Sequence, residues 1–214
     1  MNSQATENAR FAGIVLAGGR STRMGCDKAT LPFGPELMLQ RVVRILREVV
    51  SPAVVVAAVG QELPALPHDA LIARDERPAR GPLEGLLAGL SKLAAERPEV
   101  TAAFVTSCDV PLLSPAFVRA MLACLGNADI AVPVEEDFPH PLAAVYRTRL
   151  VPQIRELLAA DQLRPAFLFD RALTKRVNTD ELRSVDPQLL SLMNCNRRED
   201  YEEALRLAGF ANNS

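Results

Sequence analysis

The chain has 214 residues, of which 49% are hydrophobic and 5% aromatic, and its formal net charge is −2. This length suits one α/β domain, or two small ones, and the apolar share is enough for a full core. A charge so close to zero predicts no nucleic-acid partner and no polyacidic tail. The apolar runs are all shorter than the roughly 18 residues of a membrane span, so we expect no membrane partner.

The cysteines are scattered, and their spacing excludes a C-x-x-C pair and a zinc site. They are Cys26, Cys108, Cys124 and Cys195. No histidine partner is identifiable that would make one of them a nucleophile. Because a signal-peptide pattern is also missing, we expect a reducing, cytoplasmic environment. Residues 1–10 are polar and aperiodic, which predicts a loose tail before a single domain over 11–210, and 211–214 are expected to fray.

Strand-like and helix-like segments alternate along the chain. Short apolar runs predict strands, and apolar residues three and four apart predict helices. Strands are predicted at residues 13–17, 53–59, 71–73, 101–106, 129–133 and 141–146. Helices are predicted at residues 35–50, 83–93, 114–125, 150–160 and 197–207, whereas 166–169 is short and ambiguous. This order predicts an α/β fold of three layers, a mostly parallel sheet with helices on both faces.

The segment after the first strand carries the strongest functional signal. Gly18 and Gly19 follow the strand directly, and the cations Arg23 and Lys28 lie further along. Glycine allows close approach of a ligand, and successive N–H groups in such a turn form an anion-binding concavity. Arg and Lys both bind phosphate oxygens. We therefore predict a nucleoside triphosphate site here. It differs from a P-loop, in which the lysine directly follows a glycine, because Lys28 follows an aspartate. An ordinary glycine turn with solvated charges is the alternative.

Two aspartates follow predicted strands. Ligands of open parallel sheets bind at the carboxyl ends of the strands. Asp109 directly follows the fourth strand, where it could hold Mg²⁺, a cation that prefers oxygen ligands and substrate phosphates. Its structural alternative is a cap for the helix near Ser114. Asp75 follows the third strand, where it could accept hydrogen bonds from a base or ribose, or be a solvated loop charge.

Four further positions are candidates for ligand contacts. Gly81 precedes a helix whose free N–H groups could bind an anion, although it could equally be a simple helix start. His140 could contact substrate or be an ordinary loop histidine. Asn196 is predicted to be the N-cap of the last helix, with Glu199 completing a capping box. Asn194 could contact a ligand or a metal.

Together these segments resemble the molybdenum cofactor guanylyltransferase family, which is related to the sugar-nucleotide pyrophosphorylases. The similarity extends from Gly13 to about Leu207, through L-A-G-G-R-S-T-R-M-G-C-D-K, G-P-L-E-G, C-D-V-P, H-P and N-C-N. L-A-G-G resembles the guanylyl branch more than the cytidylyl branch, whose loop typically reads L-A-A-G. The resemblance implies a nucleotidyltransferase fold. It also implies a reaction in which GTP and a molybdopterin-type cofactor give the guanine dinucleotide form and pyrophosphate.

The resemblance also implies roles for individual residues. The expected contacts with GTP are Leu16, Ala17, Gly18, Asp75 and Asp109. Lys28 is expected to bind the phosphates and Asp109 to hold Mg²⁺. On physical grounds, Arg23 and Lys28, together with Mg²⁺ on Asp109, would stabilise the charge that builds up during transfer, so these three residues are the predicted catalytic group. Asn194 and Asn196 match the N-x-N motif associated with the cofactor side or the metal. Other cofactor-biosynthesis proteins and acceptor molybdoenzymes are the further partners expected.

The chain departs from this family pattern in two places. The family usually has an asparagine after the second strand as a guanine-side contact, but here the stretch is A-A-V-G at 57–60. Residues 161–177 also match poorly. Guanine specificity and the pterin substrate are therefore open. The alternatives are a cytidylyl- or sugar-phosphate nucleotidyltransferase, and a non-catalytic nucleotide-binding relative.

Overall fold

The structure, a computed structural model, describes residues 11–18, 27–75, 77 and 80–210. The strands are β1 (Phe11–Leu16), β2 (Pro32–Phe33), β3 (Glu36–Leu37), β4 (Ala53–Ala58), β5 (Leu71–Asp75), β6 (Ala102–Ser107), β7 (Ile130–Glu135), β8 (Phe138–Pro139), β9 (Ala144–Arg147) and β10 (Thr174–Asn178). The α-helices are α1 (Met38–Arg47), α2 (Pro82–Glu96), α3 (Pro115–Leu125), α4 (Val151–Ala159), α5 (Ala166–Phe169), α6 (Thr179–Leu182) and α7 (Arg198–Leu207). None of these helices is long and apolar enough to cross a bilayer.

The central sheet brings the carboxyl ends of most strands to one edge. Its order is β10-β7-β9-β6-β1-β4-β5, with β8 paired to β7. β1 is parallel to both β4 and β6, β4 is parallel to β5, and β7 is parallel to β10. β9 runs antiparallel between β6 and β7. The parallel strands therefore all point the same way, and the prediction of a mostly parallel α/β sheet is confirmed.

Helices cover both faces of the sheet, as predicted. Side chains alternate across a strand, so neighbouring residues of β1 enter different layers. Val15 lies in the same apolar layer as Leu39 of α1 and Phe117 of α3, whereas Ile14 lies in the opposite layer with Leu86 of α2. A strand covered on both faces is a continuous apolar run in the sequence. A third, smaller cluster joins the β2–β3 hairpin to α7; its buried members are Phe33, Met38, Cys195 and Ala204.

Two predicted segments begin later than expected, and one strand was not predicted. The helix predicted from residue 35 begins at Met38, because residues 32–37 form the β2–β3 hairpin. The strand predicted from 141 begins at Ala144, since the N–H of Ala143 donates to His140 O in a turn. β10 was missed because only Val177 of its five residues is buried. That strand exists through its pairing with β7 at the sheet edge, which local periodicity does not encode.

The capping prediction for the last helix is wrong. Its N-cap is Arg197, and Asp200 rather than Glu199 supplies the carboxylate. Asp200 Oδ2 accepts from the backbone N–H of Asn196 at 3.0 Å and of Arg197 at 2.8 Å. The Asn196 side chain is thus free of the capping role. The predicted tails 1–10 and 211–214 lie outside the described residues, and the single domain over 11–210 stays a prediction.

Gly89 of α2 gives a test of the packing between this helix and the sheet. A Cβ at Gly89 would lie 2.8 Å from Ile14 Cγ2 and 3.2 Å from Val56 Cγ2. Overpacking costs about 1–3 kcal/mol, and the gain in helix propensity offsets about 1 kcal/mol. We expect Gly89→Ala to lower the free energy of unfolding by about 1 kcal/mol in a urea titration.

Gly85→Ala, one turn earlier on α2, is the matched control. Its Cβ would lie 3.2 Å from Leu16 Cδ2, and its other neighbours are further away. It should therefore be no less stable than the native chain, because the same propensity gain meets a smaller clash. If both variants were equally stabilised, the close approach of α2 to β1 would be refuted.

Candidate active site

Lys28, Asp109 and Asn196 meet at the carboxyl edge of the sheet. Lys28 Nζ donates to Asp109 Oδ2 at 2.8 Å and to Asn196 Oδ1 at 2.9 Å. The Lys28 and Asp109 side chains are each only 15% exposed. Two charges so far from solvent stabilise each other, and removing either leaves a costly unpaired charge. We call these three residues the Lys28 cluster.

Local structure places Lys28 at the start of a short turn. Residues Lys28–Thr30 form a 3₁₀ helix, and Asp27 is its N-cap. Asp27 Oδ1 accepts from the backbone N–H of Ala29 at 3.0 Å. The position of the lysine therefore follows from that of Asp27, the residue immediately before it.

Asp109 and the N-C-N motif are joined through the backbone. The N–H of Cys195 donates to Asp109 O at 2.8 Å, and the Cys195 side chain is fully buried. Asn194 and Asn196 on either side of it are exposed. Asp109 Oδ1 also accepts from the Ser107 hydroxyl. The motif thus lies beside Asp109, and Asn196 reaches Lys28 from there.

The alternative role for Asp109, capping the following helix, is excluded. Ser114 is the N-cap of α3, and its Oγ accepts from the Ala116 N–H at 3.2 Å. The helix start is therefore satisfied without Asp109. The side chain of Asp109 contacts Lys28 and Ser107 instead, which leaves its carboxylate at the sheet edge.

The end of β1 lies next to this cluster. Leu16 O accepts from the Cys108 N–H at 3.0 Å, which joins β1 to the turn that carries Asp109. The Leu16 and Ala17 side chains are buried, so we expect their backbone groups to make any ligand contact. A Cβ at Gly18 would lie 3.2 Å from Ala58 N, so the segment after β1 approaches the end of β4 closely enough to favour glycine there. The predictions for Gly19 and Arg23 fall on residues outside those described.

Gln61 is a site residue that sequence reasoning missed. Its Nε2 donates to Ala17 O at 3.0 Å and to Asp27 Oδ2 at 2.8 Å. Its Oε1 accepts from the Ala58 N–H at 3.0 Å. The signal was present, because Gln61 is a polar residue in the turn that follows β4 at the ligand-binding edge.

Asp75 and Gly81 belong to a second polar group, between β5 and α2. Asp75 Oδ1 accepts from the Arg77 N–H at 3.0 Å, and the Arg77 guanidinium lies 3.0 Å from Glu84 Oε1. Burial raises the pKa of the Asp75 carboxyl, and the charge of Glu84 adds to this. Glu84 is buried in the first turn of α2, where the helix dipole favours an anion. An anion bound at Gly81, as predicted, would have to share this helix start with Glu84.

Gly81 itself adopts a conformation that favours glycine. It is the N-cap of α2 with φ +78°, a left-handed value. Among the described residues, neither Asp75 nor Gly81 shares a hydrogen bond or ion pair with the Lys28 cluster. Their assignment to the nucleotide stays a prediction.

His140 lies in the turn after β8. Its backbone N–H donates to Pro133 O at 2.9 Å, and the Nε2 of its ring is 3.8 Å from Glu135 Oε2. Within the described part of the chain, Nε2 has no hydrogen-bond partner. Burial lowers the pKa of the imidazole, and Glu135 opposes this shift. The shift favours the neutral imidazole, and the prediction that the ring contacts substrate stays untested.

The buried thiols are not nucleophiles at neutral pH. Burial raises the pKa of Cys108 to about 12, and the nearby Asp109 charge adds to the shift. The pKa of Cys195 is likewise raised to about 12, first by burial and then by Asp109. A thiolate is the reactive form of cysteine, so both side chains act as apolar packing groups here.

The cluster offers few protein ligands for a metal. Among the described residues, no three His, Cys, Asp or Glu side chains come together as a metal-binding group. Asp109 Oδ2 and Asn196 Oδ1 already share one cation, the Lys28 ammonium. A carboxylate with a carboxamide oxygen suits Mg²⁺, which usually binds one or two carboxylates together with water and substrate phosphates.

Comparisons with known proteins agree with this geometry. Residues 13–176 match the family model described as a MobA-like NTP transferase domain. A "probable molybdenum cofactor guanylyltransferase" of Mycobacterium tuberculosis strain H37Rv is 39% identical over 181 residues, covering 83% of this chain and 88% of that protein. The chain belongs to the MobA-like NTP transferase family. It is therefore a nucleotidyltransferase.

Solved structures show that the fold is shared as well. Molybdopterin-guanine dinucleotide biosynthesis protein A of Archaeoglobus fulgidus superimposes with a TM-score of 0.76 at 18% identity, over 94% of this chain and all of that one. An M. tuberculosis H37Rv protein solved as a manganese complex superimposes with a TM-score of 0.58 at 15% identity, over 92% of this chain and 98% of that one.

The family match ends before the N-C-N motif of this MobA-like NTP transferase. The matched residues end at 176, whereas Asn196 is a member of the Lys28 cluster. The backbone hydrogen bond from Cys195 N–H to Asp109 O connects the N-C-N motif to the matched part of the chain. The last part of the chain thus completes a site whose other residues lie within the family domain.

The ionisation of His140 gives a direct test of its environment. We expect an NMR titration of its ring to give a midpoint below the ordinary value of about 6.5, because burial disfavours the imidazolium. Glu135→Gln should lower the midpoint further, because it removes the negative charge 3.8 Å from Nε2. A midpoint above the ordinary value would contradict the burial of the ring, and a midpoint raised by Glu135→Gln would contradict the interaction with Glu135.

Proposed function

We propose that this nucleotidyltransferase is a molybdenum cofactor guanylyltransferase, which transfers GMP from GTP to a molybdopterin-type cofactor and releases pyrophosphate. The Lys28 cluster beside Gly18 is the observation that carries the proposal. The name of the M. tuberculosis relative, at 39% identity, supports the choice of substrates.

Lys28 and Asp109 are suited to exchange partners when a nucleotide binds. In the structure the ammonium and the carboxylate neutralise each other at 2.8 Å. A triphosphate brings several negative charges to the same edge, and a lysine binds phosphate as a point charge. We propose that Lys28 turns from Asp109 to the phosphates. The carboxylate is then free for a second cation.

Mg²⁺ is the cation that we propose for this position. Asp109 would hold it directly, with Asn196 and Asn194 as the neighbouring carboxamides. When bound, a divalent cation neutralises the charge that develops on the phosphoryl oxygens and on pyrophosphate. The manganese complex of the M. tuberculosis fold relative supports a divalent cation as the class of metal.

The proposed mechanism needs no general base. The acceptor's terminal phosphate is already ionised at neutral pH and attacks the α-phosphorus of GTP, and pyrophosphate leaves. Lys28, and by prediction Arg23, neutralise charge on the reacting phosphates. Gly18 lets the phosphates approach the backbone. Neutral His140 and the protonated thiols of Cys108 and Cys195 are not required in this scheme.

The remaining expectations belong to the same proposal. A cytoplasmic location follows from the scattered cysteines. Contacts with other cofactor-biosynthesis proteins and with acceptor molybdoenzymes follow from the dinucleotide product. Leu16, Ala17, Asp75, Gly81 and His140 are the further substrate contacts that we propose.

Nucleotide selectivity tests the proposal first. A ligand that binds only the native state raises the melting temperature by mass action. With Mg²⁺ and GTP at about a hundred times its Kd, we expect an increase of about 5–10 °C and none of that size with CTP, ATP or UTP. A selective response to CTP would instead indicate a cytidylyltransferase. No response to any nucleotide would favour a non-catalytic relative.

Asp109→Asn tests the metal assignment in the same assay. It keeps the shape of the side chain but removes the charge, so Mg²⁺ should no longer increase the GTP-induced thermal shift. The rate of guanylyl transfer should fall at least about a hundredfold, the scale of losing one electrostatic contact to a reacting group. Asp69→Asn is the matched control, because Asp69 pairs with Arg47 on the surface. Equal behaviour of the two variants would refute the role of Asp109.

A further inference from the structure

We propose that Gln61 is a positioning residue for Lys28. Its carboxamide connects Ala17, at the end of β1, to Asp27, the residue before Lys28, and so determines where the ammonium group lies. The inference rests on the proposed function, because the phosphate-binding role of Lys28 gives this position its importance. Gln61 itself makes no proposed contact with substrate.

Both ends of the Gln61 carboxamide face groups of the right kind, because its NH₂ group faces acceptors and its oxygen faces a donor. Nε2 donates to Ala17 O at 3.0 Å and to Asp27 Oδ2 at 2.8 Å, and Oε1 accepts from Ala58 N at 3.0 Å. Reversing the amide would place Oε1 against a carbonyl and a carboxylate, which are both acceptors. The contacts therefore require an amide at this position in a single orientation.

Hydrogen bonds to the two neighbouring strands, β4 and β5, also fix the backbone of Gln61. The Gln61 N–H donates to Ala58 O at 3.1 Å, in a turn where Gly60 has φ +78°. Arg74 of β5 donates to Gln61 O at 2.8 Å and to Ala58 O at 3.0 Å. The turn is thus attached to two adjacent strands, so the carboxamide has a rigid support.

Asp27 transmits this position to Lys28. One carboxylate oxygen accepts from Gln61 and the other from Ala29 N, so each oxygen has a defined donor. The bond from Gln61 is charge-assisted and hence among the stronger hydrogen bonds. Because Lys28 is the first residue of the turn that Asp27 caps, moving Asp27 moves the ammonium away from Asp109 and Asn196.

Gln61→Glu tests this directly, because it preserves shape and replaces the donor with an oxygen. That oxygen would face Ala17 O and the Asp27 carboxylate. We expect the Kd and the KM for GTP to rise at least about tenfold, the scale of one lost hydrogen bond to a charged group. The kcat should fall by a smaller factor. The amides of Ala29, Thr30 and Leu31 should exchange with deuterium faster, independently of any nucleotide.

Gln40→Glu is the matched control. Gln40 also bridges backbone groups, with Oε1 accepting from Leu37 N at 3.0 Å and Nε2 donating to Ala65 O at 2.9 Å. A comparable loss of structural hydrogen bonds at Gln40 should leave the affinity for GTP within about twofold of the native value.

Asp27→Asn is expected to have opposite effects on GTP affinity in the native chain and in the Gln61→Glu variant. In the native chain it removes the acceptor charge and places an amide near Gln61 Nε2, so it should weaken GTP binding. Combined with Gln61→Glu it restores a donor–acceptor pair, so the double variant should bind GTP several-fold more tightly than Gln61→Glu alone. The double-mutant cycle would then give a large interaction energy, which a direct contact between the side chains of Asp27 and Gln61 explains.

The outcomes separate this inference from the proposed function. If Gln61→Glu and Gln40→Glu have the same affinity for GTP and native amide exchange at residues 29–31, the positioning role is refuted. If the native chain binds no GTP, the proposed function fails instead. Faster exchange at residues 29–31 would then still support the link from Gln61 to the Lys28 turn, and unchanged exchange would refute it.

Discussion

The ion pair between Lys28 and Asp109 is the contact on which the rest of the site depends. Both side chains are mostly buried, and a buried charge without a partner costs several kcal/mol. The fold therefore has to bring the turn after β1 and the turn after β6 together. The parallel pairing of β1 with β6 does so, because it places their carboxyl ends side by side.

The surrounding contacts support this pair from three directions. Asp27 positions Lys28, Ser107 donates to Asp109, and Asn196 accepts from the ammonium. The last contact depends on the small apolar cluster that buries Cys195 against the β2–β3 hairpin and α7. Residues of this cluster therefore help to hold the segment that carries Asn196.

Features encoded by local patterns were predictable from the sequence. The apolar run of β4 and the spacing of leucines in α2 both reflect burial, so these elements could be predicted. Once the strands were predicted, Lys28 and Asp109 could be found as polar residues that follow them. The family resemblance added the N-x-N motif. The capping role that the local capping-box pattern predicted for Asn196 was wrong, because Asp200, one residue beyond Glu199, supplies the carboxylate. The strand β10 depends on β7, a partner distant in sequence, so no local pattern could identify it. The place of Gln61 in the turn after β4 made it a candidate, but its contact with the distant Asp27 could not be predicted from a local pattern.

The central claim is that Lys28 and Asp109 separate to bind a triphosphate and a divalent cation. A crystal structure with a non-hydrolysable GTP analogue and Mn²⁺, with the metal located by anomalous scattering, tests it most directly. The account predicts Mn²⁺ in direct contact with an Asp109 carboxylate oxygen and Lys28 Nζ bonded to a phosphate oxygen. A metal bound elsewhere, with Lys28 still 2.8 Å from Asp109 as in the present structure, would contradict the account.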